Sequence, residues 1–441
     1  MKPELWLGLE CTVNRVGHTY FDQTMRTGHE YRENDLELFS KIGAKVIRYP
    51  LLWERTAPGE LHWEWPDRRL RQLQELRMRA LVGLLHHGSG PRDTDLLDPD
   101  FALKFAAYAR ACAERYPWIE DYIPVNEPLT TARFSALYGH WYPHHKSVTS
   151  FVRALLNQCK AVVLGMREIR AVNSKARLVQ TEDLGKCFST PKLSYQADFE
   201  NERRWLTFDL LCGKVAPDHA IWPYLKWAGI EDRDLYWFQE NPMPPDFFGL
   251  NHYLTSDRYL DERLERFPES AHGGNGRDQY ADVEAVRACP RECVSVSHRI
   301  REAWNRYRIP VVVTEAHLSC PEMDESVRWL WEIWNAAREQ NSLGADVRAV
   351  TAWALLGAYD WNNLVTKALG FYEPGLFDAR FSPPRPTSLA TLATELARGE
   401  PPSDPALQHP GWWRRSERIC YGAERPSLLN ATRMQTECSA D

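Results

Sequence analysis

The chain has 441 residues, 44% of them hydrophobic and 26% charged, with a formal net charge of −6. That composition is ordinary for a soluble globular protein and lies outside the low-hydrophobicity regime that stays unfolded, and the dispersal of Lys and Arg leaves no electrostatic footprint for nucleic acid. No 18-residue apolar run is present, and Glu4 and Glu10 interrupt the only apolar stretch near the N-terminus, so a soluble, cytoplasmic protein without membrane contact is expected.

Short apolar, β-branched runs alternate with amphipathic stretches of helical period, the pattern of a parallel sheet with crossover helices. In chain order the expected strands are Trp6 to Glu10, Val46 to Leu51, Ala80 to Leu85, Tyr122 to Val125, Arg177 to Gln180, Phe247 to Asn251, Val311 to Thr314 and Val347 to Ala354. Between them the clearest helices are Asn34 to Ile42, Pro66 to Arg77, Pro99 to Tyr116, Thr149 to Val172, Cys293 to Tyr307, Asp324 to Gln340 and Pro386 to Arg398. Asp98 before Pro99 reads as an N-cap with Pro at the first helical position. Eight such units predict an α/β fold, a single-domain (β/α)8 barrel over 1–398. The stretch Thr181 to Asp246 fits this alternation less well and is read as excursions around the fifth unit. Asp257 to Arg291 is polar and reads as a long loop, and 399–441 reads as a poorly ordered tail.

The ten cysteines stand mostly alone and are expected to be free thiols. Cys289 and Cys293 resemble half a zinc site, but no second pair follows at ligand spacing, and Pro143 breaks any helical face for His140, His144 and His145. Neither a metal nor an organic cofactor is expected. Of the eighteen Trp, most read as core and helix-packing residues, with a minority available to stack on sugar rings.

A barrel of this kind gathers its reacting groups at the C-terminal ends of its strands. Those positions are strongly polar here: Glu10 and Asn14, Arg48 and Trp53, His86 and His87, Asn126 and Glu127, Glu182 and Asp183, Asn251 and Tyr253, Glu315, then Trp353, Asp360 and Trp361. Two carboxylates across such a mouth suit glycoside cleavage, in which one acid protonates the leaving oxygen while the other attacks the anomeric carbon or activates water. The fourth and seventh strands put Glu127 and Glu315 on opposite sides. Each also has a plainer reading, Glu127 as the acid that starts a helix before Pro128 and Glu315 as a strand-end partner of Arg48. His86 and His87 adjoin, so one of the two is expected to face the pocket. Glu182 and Asp183 fit a supporting role as well as substrate contact.

VNEP at Val125 to Pro128 and VTEAH at Val313 to His317 resemble the acid/base and nucleophile motifs of glycoside hydrolase family 1, the β-glucosidase-like retaining barrel glycosidases. VIRYPLLW, LLHHG, FFGLNHYLTS and WALLGAYDWNNL resemble further motifs of that family in the same order, over roughly residues 3–395. The resemblance implies Glu127 as acid/base and Glu315 as nucleophile, with Arg48 and Tyr253 holding the nucleophile and Asn126 and Asn251 flanking the pair. It further implies His86 or His87 as a sugar ligand, Trp353 as a platform, and Asp360 and Trp361 for distal sugar hydroxyls. Asn14 stands where the family has Gln and Asp360 where it has Glu, so the terminal sugar is expected to differ from glucose or to sit differently. The chain is similar to a divergent bacterial branch whose barrel in some proteins precedes a sugar-nucleotide reductase domain. The function so implied is hydrolysis of a β-linked, glucoside-like sugar by double displacement. A catalytically silent sugar-binding barrel and a transglycosylase using the same covalent intermediate are the alternatives. The expected partner is a small-molecule or oligosaccharide substrate.

Overall fold

The computed structural model of the chain describes residues 2–289 and 295–421. In chain order its main strands are β1 (Glu4–Gly8), β2 (Val13–Val16), β3 (Thr19–Asp22), β4 (Val46–Pro50), β5 (Arg79–His86), β6 (Asp121–Asn126), β7 (Arg177–Asp183), β8 (Cys187–Ser189), β9 (Phe247–Asn251), β10 (Arg258–Asp261), β11 (His272–Gly274), β12 (Gln279–Glu284), β13 (Val311–Ala316) and β14 (Val347–Ala352). Eight of them close into a parallel barrel, β1-β14-β13-β9-β7-β6-β5-β4 around the ring. Each corresponds to one of the eight expected strands, with ends displaced by a residue or a few. The sequence signal was clear because such strands are buried on both faces and read as continuous apolar runs. Trp6, Val46, Leu81, Ile123, Val179, Val312 and Ala349, with Phe247 against them, form one interior cluster that takes a residue from every barrel strand. Leu81 is wholly buried there, and its truncation to Ala would cost about 2–5 kcal/mol.

The crossover helices follow the amphipathic pattern: Asp35–Ser40, Glu64–Glu75, Phe101–Arg115, Val148–Val172, Val296–Tyr307, Met323–Ser342 and Ser388–Arg398. One expected boundary is corrected. The helix after β5 starts at Phe101 with Asp100 at its cap, while the Asp98 carboxylate instead accepts from the Asp100 amide at 2.9 Å and from Thr94 at 2.8 Å. Cys293, the expected start of a later helix, lies outside the described residues. Thr181 to Asp246 contains several short helices, among them Leu206–Leu211, Trp222–Trp227 and Asp232–Glu240.

The chain divides into two compact units. The described part of the barrel unit comprises 2–184, 202–253 and 296–409; that of the second comprises 185–201, 254–289, 295 and 410–421. Asp257 to Arg291, read from the sequence as loop, contributes most of a four-stranded sheet in the second unit, ordered β11-β12-β10-β8. Its core joins Cys187, Leu193, Ala197, Leu260 and Tyr280. Past Arg398, the expected unstructured tail contains short 3-10 turns at Pro405–Gln408, Trp412–Arg414 and Ser416–Arg418. Within the second unit Trp413 is fully buried, and Arg418 donates to the Cys289 carbonyl at 2.8 Å. Residues 422–441 of that tail lie outside the described residues. Among the described residues Cys11, Cys112, Cys159, Cys212, Cys320 and Cys420 are free thiols. Among the described residues no helix is long and apolar enough to cross a membrane.

Candidate active site

Glu127 leaves β6 in the left-handed conformation, φ 48, a costly backbone for a residue with a side chain. Pro128 then opens the helix Pro128–Ala132 at a position where its missing N–H is not needed. The amides of this helix end that lack an intrahelical partner are satisfied by Glu182, not by Glu127: the Glu182 carboxylate accepts from Leu129 N at 2.8 Å and Thr130 N at 3.2 Å, and also from Thr207 Oγ1 at 2.7 Å. The Glu127 side chain makes no capping bond, and its Oε1 accepts from Asn251 Nδ2 at 2.5 Å.

Glu315 owes its direction to an irregularity in β13. Val312 is in the barrel interior, so strict alternation would send Thr314 inward and Glu315 out toward the helices. The register slips between Val313 and Glu315 against β9, where Val313 faces Leu250 and Glu315 faces Asn251, and an extra residue of this kind re-aims a side chain. As a result Thr314 Oγ1 donates to Asn251 Oδ1 at 2.5 Å while Glu315 also reaches the mouth. There Arg48 Nη1 donates to its Oε1 at 2.6 Å and the Tyr253 hydroxyl donates to its Oε2.

The two carboxylates are joined through shared partners. Asn126 Oδ1 accepts from Arg48 Nη2 at 2.7 Å, Thr181 Oγ1 at 2.8 Å and Asn251 Nδ2 at 3.4 Å. The path from Glu315 to Glu127 therefore runs through Arg48, Asn126 and Asn251, all buried. Burial, then the charges of Glu315, Asp183 and Glu182, raise the Glu127 pKa well above the usual carboxylate range, against the Asn251 amide. Burial and the Glu315 charge likewise hold the Tyr253 phenol protonated, in the state that donates to Glu315.

Only one of His86 and His87 was expected at the pocket, yet both rings meet the Asn126 amide, each Nε2 at 3.3 Å from Asn126 Nδ2. Adjacent strand residues point to opposite faces; the left-handed backbone of His87, φ 57, removes that constraint. His86 also lies flat against Trp353, centroids 5.8 Å apart, with Arg48 over the same indole at 4.6 Å. Burial brings His87 down to about 3 and His86 well below its ordinary value, so both are neutral hydrogen-bonding groups.

At the far wall Asn14 Nδ2 donates to the Val365 carbonyl at 3.0 Å, and neither Asn14 Oδ1 nor Trp361 Nε1 has a hydrogen-bond partner among the described residues. Trp361 meets the His87 ring edge-on at 5.6 Å. Trp141, in the GHWYPHH loop beyond the strand ends and so not singled out by strand-end position, sits at 5.2 Å from His87 and donates to the Leu364 carbonyl at 2.7 Å. Asp360, expected at distal sugar hydroxyls, is engaged by the protein itself. It is fully buried, pairs with Arg26, and accepts from the amides of Leu369, Gly370 and Phe371 at 3.0, 3.1 and 2.9 Å. Its carboxylate is engaged in holding the loop that carries Trp361. Glu182 is wholly buried behind Glu127, whereas Asp183 is only half-buried. Among the described residues no cluster of three His, Cys, Asp or Glu is placed to hold a metal, and His144 Nε2 accepts from the Gly17 amide at 2.8 Å.

The Glycosyl hydrolase family 1 model matches residues 11–374. The chain belongs to glycosyl hydrolase family 1. It is therefore a glycoside hydrolase. Beta-glucosidase 47 of Arabidopsis thaliana is 22% identical over 396 residues, covering 78% of this chain and 71% of the plant protein. The 6-phospho-beta-galactosidase 1 of Streptococcus pneumoniae is 19% identical over 394 residues, covering 77% of this chain and 82% of that protein. The family 1 β-glucosidase of Thermotoga maritima in complex with isofagomine lactam superposes with a TM-score of 0.68 at 18% identity, covering 84% of this chain and 87% of that one. At that identity the likeness establishes the shared barrel.

Proposed function

We propose that this family 1 enzyme is a retaining β-glycosidase acting on a neutral, glucoside-like β-linked sugar, with Glu315 as nucleophile and Glu127 as acid/base. The observation that carries the reading is the contrast between two connected, buried carboxyls. Glu315 accepts hydrogen bonds from a guanidinium and a phenol, whereas burial and negative neighbours raise the pKa of Glu127 well above the usual carboxylate range. Glu315 forms the glycosyl ester as the bond to the leaving oxygen breaks, and the Glu127 proton passes to that oxygen. Esterification removes the Glu315 charge, which lowers the Glu127 pKa, and Glu127 then takes a proton from the water that cleaves the ester. The free atoms Asn14 Oδ1 and Trp361 Nε1, with the neutral His87, suit sugar hydroxyls. The relatives named above include both a β-glucosidase and a 6-phospho-β-galactosidase. The neutral sugar is favoured here because Arg26, a cation beside Trp361's loop, is already paired with Asp360.

The test is Glu127→Ala. Activated aryl β-glycosides should still glycosylate Glu315, while substrates with poor leaving groups should fail because the departing oxygen needs the proton in the transition state. Added azide should accelerate turnover and yield a β-glycosyl azide. Equal losses on good and poor leaving groups with no azide adduct would remove Glu127 from the acid/base role.

A further inference from the structure

The β2–β3 hairpin has two faces. Its register pairs Val13 with Asp22, Asn14 with Phe21 and Arg15 with Tyr20, so Asn14 lies on one face while Val13, Tyr20 and Asp22 lie on the other. Asn14 bonds to the loop after β14, at the carboxylate mouth. The opposite face borders a separate open cavity of about 400 Å³, lined by residues that follow β4, among them Glu54 and Arg55, and by Pro91 and Arg92 after β5. Its volume is at the low end of small-ligand pockets, about 300–1,000 Å³.

The charges of the wall discriminate among ligands. Arg55 is neutralised by Asp22, at 2.6 Å, and by Glu30. Glu54 is 8% exposed; its Oε1 accepts from Gly90 N at 3.0 Å and its Oε2 has no partner among the described residues. Gly88 makes room for it, since a Cβ there would stand 1.7 Å from Glu54 Oε1. A buried carboxyl oxygen left without a partner is costly, on the order of 1–3 kcal/mol, and calls for one. Arg92 is the exposed cation, its Nη2 donating to the His18 carbonyl at 3.3 Å and its guanidinium 5.3 Å from the Tyr20 ring. A simple cation would meet Arg92, and Arg55, which could join Arg92 on a dianion, is already paired with Asp22 and Glu30. Tyr20, Met25, Pro58 and Pro91 give the remaining wall an apolar character. Donors and acceptors of both kinds beside apolar surface suit a neutral polyhydroxylated ring. Burial also pushes Glu54 up to about 8, so that at neutral pH its carboxyl both donates and accepts, as a hydroxyl partner must.

We propose that this cavity is a second saccharide site, taking one pyranose unit with its hydroxyls on Glu54 and Arg92 and an apolar face on Tyr20 and the prolines, separated from the catalytic mouth by the hairpin. Met25 lines it and serves as a reporter. The full chain carrying Glu315→Gln and ¹³C-methyl methionine is titrated with methyl β-D-glucopyranoside, methyl β-D-galactopyranoside and methyl β-D-xylopyranoside. The Met25 methyl signal, assigned through Met25→Leu, should move saturably with at least one of them. Glu54→Gln and Arg92→Ala should each weaken that response about tenfold, the loss of roughly one good hydrogen bond. Arg92 is exposed, so its variant keeps the test informative should Glu54→Gln not fold. A Met25 signal unmoved by every sugar, or moved equally in both variants, overturns the proposal. The titration needs no turnover, so its failure leaves the azide experiment on Glu127 untouched, and failure of the azide experiment leaves a saturable Met25 response standing.

Discussion

Replacing Glu182 by Gln tests whether the charge behind Glu127 is set by burial. The change preserves shape. A Gln carbonyl at the Oε2 position still accepts from Leu129 N and Thr207 Oγ1, but the amide nitrogen then faces Thr130 N, so one hydrogen bond of 3.2 Å is lost, at about 1–3 kcal/mol. A second effect depends on pH. Burial raises Glu182 from the ordinary 4.5 to about 7, so the folded protein keeps this proton to higher pH than the unfolded chain does. The resulting stability is complete below pH 4.5 and is lost as pH rises through 7. At about 1.4 kcal/mol per pH unit, the wild type loses on the order of 2–3 kcal/mol through this group between pH 5 and pH 8. Gln does not titrate. The variant should therefore be less stable than wild type at pH 5 and approach or pass it at pH 8, with the difference moving by about 2–3 kcal/mol in urea unfolding at the two pH values. Because the Glu182 charge also raises Glu127, the basic limb of the kcat/KM profile should move to lower pH. An identical deficit at pH 5 and pH 8, with an unmoved profile, would refute the burial argument.

Three further outcomes are expected. Glu315→Gln removes the charge that raises Glu127, so the Glu127 carboxyl, followed by ¹³C NMR, should titrate at lower pH than in the wild type while hydrolysis is abolished. Arg48→Met deprives Glu315 and Asn126 of bonds at 2.6 and 2.7 Å. Breaking such a buried pair should destabilise the chain by about 3–5 kcal/mol in denaturant unfolding, and unchanged stability would mean the pair is unimportant to the fold. Asp360→Ala leaves Arg26 and three loop amides without their acceptor; amide exchange should accelerate locally across 361–371, and KM should rise more than kcat falls as Trp361 loses its support.

The eight barrel strands were legible because local pattern suffices for them: each is a short β-branched run flanked by helical periodicity, and closing the ring requires nothing else of the sequence. Strand-end position likewise identified the residues that meet at the mouth, from Arg48 to Tyr253. The second unit's sheet was not legible, since strands such as Gln279–Glu284 bury Tyr280, Ala281 and Val283 amid exposed polar neighbours, and a run so short with so little alternation reads as loop. Within the site, the direction of Glu315 depends on a register slip against β9, and the presence of both histidines on a left-handed backbone at His87; neither is encoded in a two-residue period. Asp360 marks the limit most clearly. Its motif suggested a sugar ligand, but Arg26, 334 positions away in the chain, occupies the carboxylate. Residue type and spacing determine which chemical groups arrive at the mouth; which of their lone pairs and protons remain available is decided by partners brought from distant sequence only when the barrel closes.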